Sequence, residues 1–98
     1  MIVGGGIVGC SVAYHLAKAG WKNVVLLEQG RLSSGSTWHA AGMVGQLRAS
    51  NSMTQINKYS AWLYPQLQAE TGHDVGWVRT RGLTLGTNAE RMIQLRRT

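Results

Sequence analysis

The chain has 98 residues, room for one small domain or a piece of a larger one. Its 44% hydrophobic content excludes an intrinsically disordered chain, and its single cysteine, Cys10, excludes an internal disulfide framework. The formal charge of +6 comes from ten Lys and Arg against four Asp and Glu, but these basic residues are dispersed, with a mild cluster only at Arg91, Arg96 and Arg97, and they do not interleave with aromatics. That pattern argues against a nucleic-acid partner and for an anionic small ligand as one source of the positive balance. No apolar run approaches the roughly 18 residues of a membrane-spanning helix, so no membrane association is expected. The start, Met1 to Val8, is broken by glycines, has no basic region before it, and does not read as a targeting segment.

In chain order, "MIVGG" reads as the end of a short buried strand. Residues 7–19 follow as a helix, with Val8, Val12, Leu16 and Ala13, Ala17 as its apolar stripe, ended by Gly20 in the left-handed conformation. "NVVLLE", Asn23 to Glu28, is a continuous apolar run suited to a parallel strand buried on both faces. Residues 1–28 thus form a βαβ dinucleotide unit. Residues 29–52 read as a glycine-rich cofactor loop, with a short helix near Thr37–Gly42. Residues 53–98 read as helix, hairpin and helix. Ile56, Tyr59, Leu63 and Leu67 share one face of residues 53–71, where Pro65 predicts a kink or a second start. "VGWVRTRGLTLG" alternates around Thr80–Gly82 as a β-hairpin does. "TNAE" at 87–90 predicts a capping box with Thr87 at the cap and Glu90 at the third helical position. The fold class is α/β.

Gly4, Gly6 and Gly9 give G-x-G-x-x-G between a strand and a helix, with Glu28 at the end of the next strand. Each position has a physical task. Gly4 allows the tight turn, Gly6 leaves the backbone open to a pyrophosphate, and Gly9 lets helix and strand approach. The helix N-terminus offers amide donors and a partial positive charge. Glu28 can accept hydrogen bonds from both hydroxyls of an adenosine ribose and would repel a 2′-phosphate. The motif does not choose between FAD and NAD.

The order "LLEQGRLSSGSTWHAAGMVGQLR" resembles the D-amino-acid-oxidase superfamily of flavoproteins, and within it the dimethylglycine and sarcosine dehydrogenase branch. "GGGIVGCSVAYHLAKAG", "VVLLE", "SGSTWHAAG" and "ETGHDVGWVRTRGLTLGTNAER" carry that resemblance over nearly the whole chain. It implies the N-terminal part of a Rossmann-like FAD-binding domain, incomplete within residues 1–98. It assigns Gly4, Gly6, Ile7, Val8, Gly9, Glu28, Gln29, Ser36, Thr37, His39, Ala41 and Gly42 to the cofactor, with Ser36 and Thr37 along its pyrophosphate and ribityl region. In relatives of this branch the histidine matching His39 bonds covalently to the flavin 8α-methyl carbon; on residue type alone His39 is a loop histidine. Trp38 would pack over the cofactor or wedge the loop against the first helix. Cys10 reads as inert packing, Arg48 as a solvated surface group, and His15 and His73 lack partners at metal-ligand spacing, so no metal site is expected.

The implied activity is oxidation of an N-methyl amine such as sarcosine or dimethylglycine by hydride transfer to flavin, with tetrahydrofolate engaged in the full-length protein. The alternatives are an amino-acid oxidase of the same superfamily using oxygen, and an inactive truncated piece or NAD-binding module. The resemblance implies a chain continuing past Thr98 and begun before Met1, with FAD bound weakly by this part alone. Catalytic residues and oligomeric state are not assigned. Location would be cytoplasmic for a bacterial protein and the mitochondrial matrix for a eukaryotic one.

Overall fold

The computed structural model describes residues 1–97. They form an α/β chain with a two-stranded parallel sheet and three α-helices, and they separate into two compact units, Met1–Gly42 and a second beginning at Met43. That division falls inside the stretch 29–52 expected to be one loop.

In the first unit β1, Ile2–Val3, pairs in parallel with β2, Leu26–Leu27, in the register Ile2 with Leu26 and Val3 with Leu27. The Ile2 amide donates to the Val25 carbonyl at 2.7 Å and the Gly4 amide to the Leu27 carbonyl at 2.8 Å. The second strand is therefore shorter than the run 23–28. Residues 23 and 24 lie outside the pairing, and Val25 joins it only through its carbonyl, because β1 offers only two residues to pair with. Between the strands α1 spans Ile7–Lys18. Its close is a Schellman motif: Gly20, at φ 88°, donates to Ala17, and Trp21 donates to Leu16. The apolar stripe is rotated from the expected one. Val8, Val12 and Ala17 are exposed, while Gly9 is buried and Ala13 and Leu16 are half-buried. The cause is steric: α1 approaches the sheet through its one residue without a side chain, Gly9.

A turn at 32–35 leads into a short 3-10 helix, Ser36–His39, where a helix at 37–42 was expected. Ala40 then leaves at ψ 139°, extended, which ends the turn.

In the second unit α2 runs Asn51–Thr71. It starts two residues before the expected position because Ser50 caps it, its hydroxyl accepting the Met53 amide at 3.3 Å. It ends at Gly72, left-handed at φ 70°. Pro65 starts no second helix. The helix continues through it, at the cost of the one bond its missing amide would make. Ala61 and Leu63 are buried, whereas Ile56 and Tyr59 of the expected face are exposed. Tyr64 stacks on Trp77, with ring centroids 5.3 Å apart. The segment 73–87 carries no strand, so the expected hairpin is absent. The Thr80 amide bonds back to the Val78 carbonyl, a γ-turn contact that breaks the extended run before it can pair. Then α3, Ala89–Arg97, begins. Its cap is Asn88, not Thr87: the Asn88 side-chain oxygen accepts the Arg91 amide at 2.8 Å. Asn is among the strongest caps, and this choice puts Glu90 second in the helix.

Candidate functional site

The G-x-G-x-x-G turn joins β1 to α1. Gly4 takes φ 102°, a conformation that side chains rarely adopt. A Cβ on Gly9 would overlap the carbonyl oxygen of Gly4, so the third glycine sets how closely the helix follows the strand. Gly6 is the N-cap of α1 and brings no side chain to it. The first-turn amides lack partners within the helix and present a partial positive charge.

Glu28 stands immediately after β2 and reaches back to this turn. One carboxylate oxygen accepts the Gly5 amide at 2.7 Å and the other accepts the Gly30 amide at 2.9 Å. The Gly5 amide, then those of Gly30 and Gln29, hold its carboxyl below the usual glutamate value, against a partial desolvation that acts the other way. Glu28 is therefore an anion at neutral pH. Each of its oxygens keeps a lone pair for a further donor such as a hydroxyl.

The segment after Glu28 folds over the turn. Ser33, in the left-handed region at φ 66°, donates its amide to the Gly5 carbonyl at 2.9 Å. The Thr37 hydroxyl accepts the Ile7 amide, also at 2.9 Å. Cys10 is half-buried, with its thiol 3.5 Å from the Gly5 carbonyl.

Between these elements lies a cleft of about 760 Å³. Gly4, Gly6, Ile7, Val8, Gly9, Glu28, Gln29, Ser36 and Thr37 line it, all singled out from sequence. His39, Ala41 and Gly42 do not line it. The 3-10 helix ends at His39, and the extended backbone from Ala40 carries Ala41 and Gly42 past the wall. His39 is exposed, and the Trp38 ring lies on it with centroids 4.0 Å apart and planes tilted by 34°. Trp38 is 66% exposed, so it is not wedged into the first helix; its side chain leans on its own neighbour.

Sequence reasoning missed Ile2, Val3, Val12, Gly30, Ser34, Gly35 and Ala40 in the lining. Val12 had a signal, being one turn beyond Val8 on the helix. Gly30, Ser34 and Gly35 belong to the small-residue run that needs room near a ligand. Ile2 and Val3 had none. No Lys or Arg lines the cleft among the described residues, so the basic surplus is not concentrated there. Its positive character comes from backbone amides at the α1 N-terminus.

Arg48 is exposed, its amide donating to the Thr54 hydroxyl and its carbonyl accepting from it. Nδ1 of His15 donates to the Ser11 carbonyl at 2.7 Å, which places the proton on that nitrogen. Among the described residues no group of three or more His, Cys, Asp or Glu could hold a metal ion, and no helix is long and apolar enough to cross a membrane.

The family model for FAD dependent oxidoreductase, DAO, matches residues 1–98. The chain is 48% identical over 97 residues to the mitochondrial pyruvate dehydrogenase phosphatase regulatory subunit of Mus musculus, covering 99% of this chain and 11% of that protein. It is 47% identical over 92 residues to mitochondrial dimethylglycine dehydrogenase of Rattus norvegicus, covering 94% and 11%. It is 40% identical over 98 residues to mitochondrial sarcosine dehydrogenase of Homo sapiens, covering 99% and 11%. The chain thus spans about a ninth of the length of these relatives. No solved structure gives a significant match. A glycine turn, an ionised Glu28 facing it and a family match along the whole chain agree: the chain belongs to the DAO family of FAD-dependent oxidoreductases.

Proposed function

We propose that the protein oxidises an N-methyl amine of the sarcosine or dimethylglycine class, and that residues 1–42 hold the adenosine and pyrophosphate half of its FAD. The cleft between the fingerprint turn and Glu28 carries this reading. It suits the group. Gly4 and Gly6 leave bare backbone in its lining, the α1 N-terminus supplies donors to a pyrophosphate, and Glu28 is ionised with lone pairs free for ribose hydroxyls. The same carboxylate disfavours a 2′-phosphate. When bound, the flavin would supply the oxidising chemistry, as acceptor of a hydride from the N-methyl carbon. This chain's share is to bind and orient that group. Gly9 fixes the helix against the strand, and Ser36 and Thr37 form the opposite wall. His39, exposed, is the proposed covalent link to the flavin, with Ala41 and Gly42 following it along the cofactor.

The similarity to dehydrogenases acting on dimethylglycine and sarcosine supports the amine class. Tetrahydrofolate as a second ligand is part of the same proposal, as is a mitochondrial location in a eukaryotic source or a cytoplasmic one in a bacterial source; the mitochondrial relatives support the former location. Adding sarcosine or dimethylglycine anaerobically to the purified protein bleaches the flavin absorbance; unchanged blue absorbance with both amines removes the substrate assignment. Acid precipitation keeps the yellow colour in the protein pellet and releases it in His39→Ala. Colour lost to the supernatant from the unaltered protein excludes the link.

A second reading has one observation in its favour. A relative at 48% identity is named a regulatory subunit, and a protein of that kind would use the fold without the oxidation. Bound flavin that no amine reduces is its signature.

A further inference from the structure

We infer that Thr37 is a positioning residue: its hydroxyl docks the second glycine-rich segment onto the N-terminus of α1, and Gly6 is glycine to admit that hydroxyl. The inference rests on the proposed cofactor reading only for its affinity arm. An ordinary helix takes a Ser, Thr, Asp or Asn at its N-cap, whose oxygen accepts a first-turn amide. Here the cap is Gly6, and no side chain caps α1 from that position. The missing acceptor arrives from 30 residues further along the chain. Thr37 Oγ1 lies 2.9 Å from the Ile7 amide nitrogen.

The same oxygen explains the second glycine of the fingerprint. A Cβ placed on Gly6 would lie 2.9 Å from Thr37 Oγ1, inside the 3.0 Å that Cβ atoms essentially never breach, and beyond the adjoining residues and the helix backbone no other atom lies within 4 Å of it among the described residues. The usual reason for this glycine is room for a pyrophosphate. In this chain the same missing side chain also leaves room for the hydroxyl. An alanine there would turn Thr37 away and strip the Ile7 amide of its acceptor.

Two further bonds point the same way. Ser33 donates to the Gly5 carbonyl at 2.9 Å, and Glu28 accepts the Gly5 amide at 2.7 Å. Residues 28, 33 and 37 thus return to residues 5–7 in turn. The cleft wall is set before any ligand arrives, which lowers the ordering cost of binding.

The test is a double-mutant cycle in the protein expressed from its complete reading frame, read by FAD affinity and by hydrogen exchange at the Ile7 amide of ligand-free protein. Thr37→Ser keeps both within about 2-fold, because the acceptor oxygen remains. Thr37→Val and Thr37→Ala weaken FAD binding and speed the exchange by about 10-fold each, the effect of leaving one amide without its partner. Gly6→Ala weakens binding by about 10-fold when Thr37 is present and by less than about 3-fold once Thr37→Ala has been made. Equal fold-losses from Gly6→Ala in both backgrounds overturn the inference, as does unchanged Ile7 exchange in Thr37→Val. If Gly6→Ala does not fold, the contrast of Thr37→Ser with Thr37→Val decides alone. If the unaltered protein binds no FAD, the proposed function fails, and the exchange arm still decides the role of Thr37.

Discussion

Glu28 shows how one side chain can serve the fold before it serves a ligand. Its carboxylate holds the Gly5 and Gly30 amides, so its charged form is favoured in the folded chain. A carboxyl depressed in this way stabilises the fold above the ordinary glutamate value and loses that contribution as pH falls through its own lower value. The thermal midpoint of the ligand-free protein should therefore decline as pH is lowered from about 5 to about 3, around and below the glutamate value of about 4.3. Glu28→Gln should have a lower midpoint at neutral pH and a shallower acid decline, because an amide nitrogen would face one of the two backbone donors. An acid decline as steep in Glu28→Gln as in the unaltered protein assigns it to other groups. The position of Glu28 was legible from the strand end and the glycine spacing. Its grip on Gly5 was not, since an acid at a strand end can equally face only solvent.

At the scale of elements, the helix ends other than the N-terminus of α1 follow local chemistry, and strands do not. Gly20 and Gly72 close α1 and α2 in the left-handed conformation, where a Cβ is costly. Ser50 and Asn88 open α2 and α3 through hydrogen bonds three residues long. Asn88→Ala should cost about 1 kcal/mol of α3 stability, and Thr87→Ala only a few tenths, as cap measurements indicate. Urea unfolding followed by helical circular dichroism of the two variants checks this; a larger loss from Thr87→Ala restores the capping box. The hairpin expected at 75–86 failed for a different reason. Alternation specifies which face a strand would show, but pairing needs a partner in register, and a two-stranded hairpin alone is marginal in water. The γ-turn at Val78–Thr80 is the local alternative that this chain takes.

At the scale of the whole molecule, 44% of the sequence is hydrophobic, yet among the described residues only Ala61 and Leu63 are buried apolar side chains. Val8 is 73% exposed and Leu83 86%. A two-stranded parallel sheet offers little surface for such residues, because parallel sheets are stable when both faces are covered. The 98-residue chain studied alone should therefore bind a dye for exposed apolar surface, melt without a sharp transition and take up FAD poorly. A single cooperative melt with saturable FAD binding contradicts this. The positive balance of the sequence is also a whole-chain property. It does not mark the cleft, where amides at the α1 N-terminus carry the positive end.

The sequence by itself determined what depends on a few neighbouring residues: the strand–turn–helix order, the three glycines, the glycine helix ends and the acid at position 28. These are set by backbone conformations and spacings that a local stretch dictates. Only the tertiary structure decided that Thr37 caps α1, that Ser33 bonds Gly5, and that His39 lies outside the cleft lining. Such contacts join residues far apart in the chain. They form when segments fold onto one another, so spacing along the sequence holds no record of them.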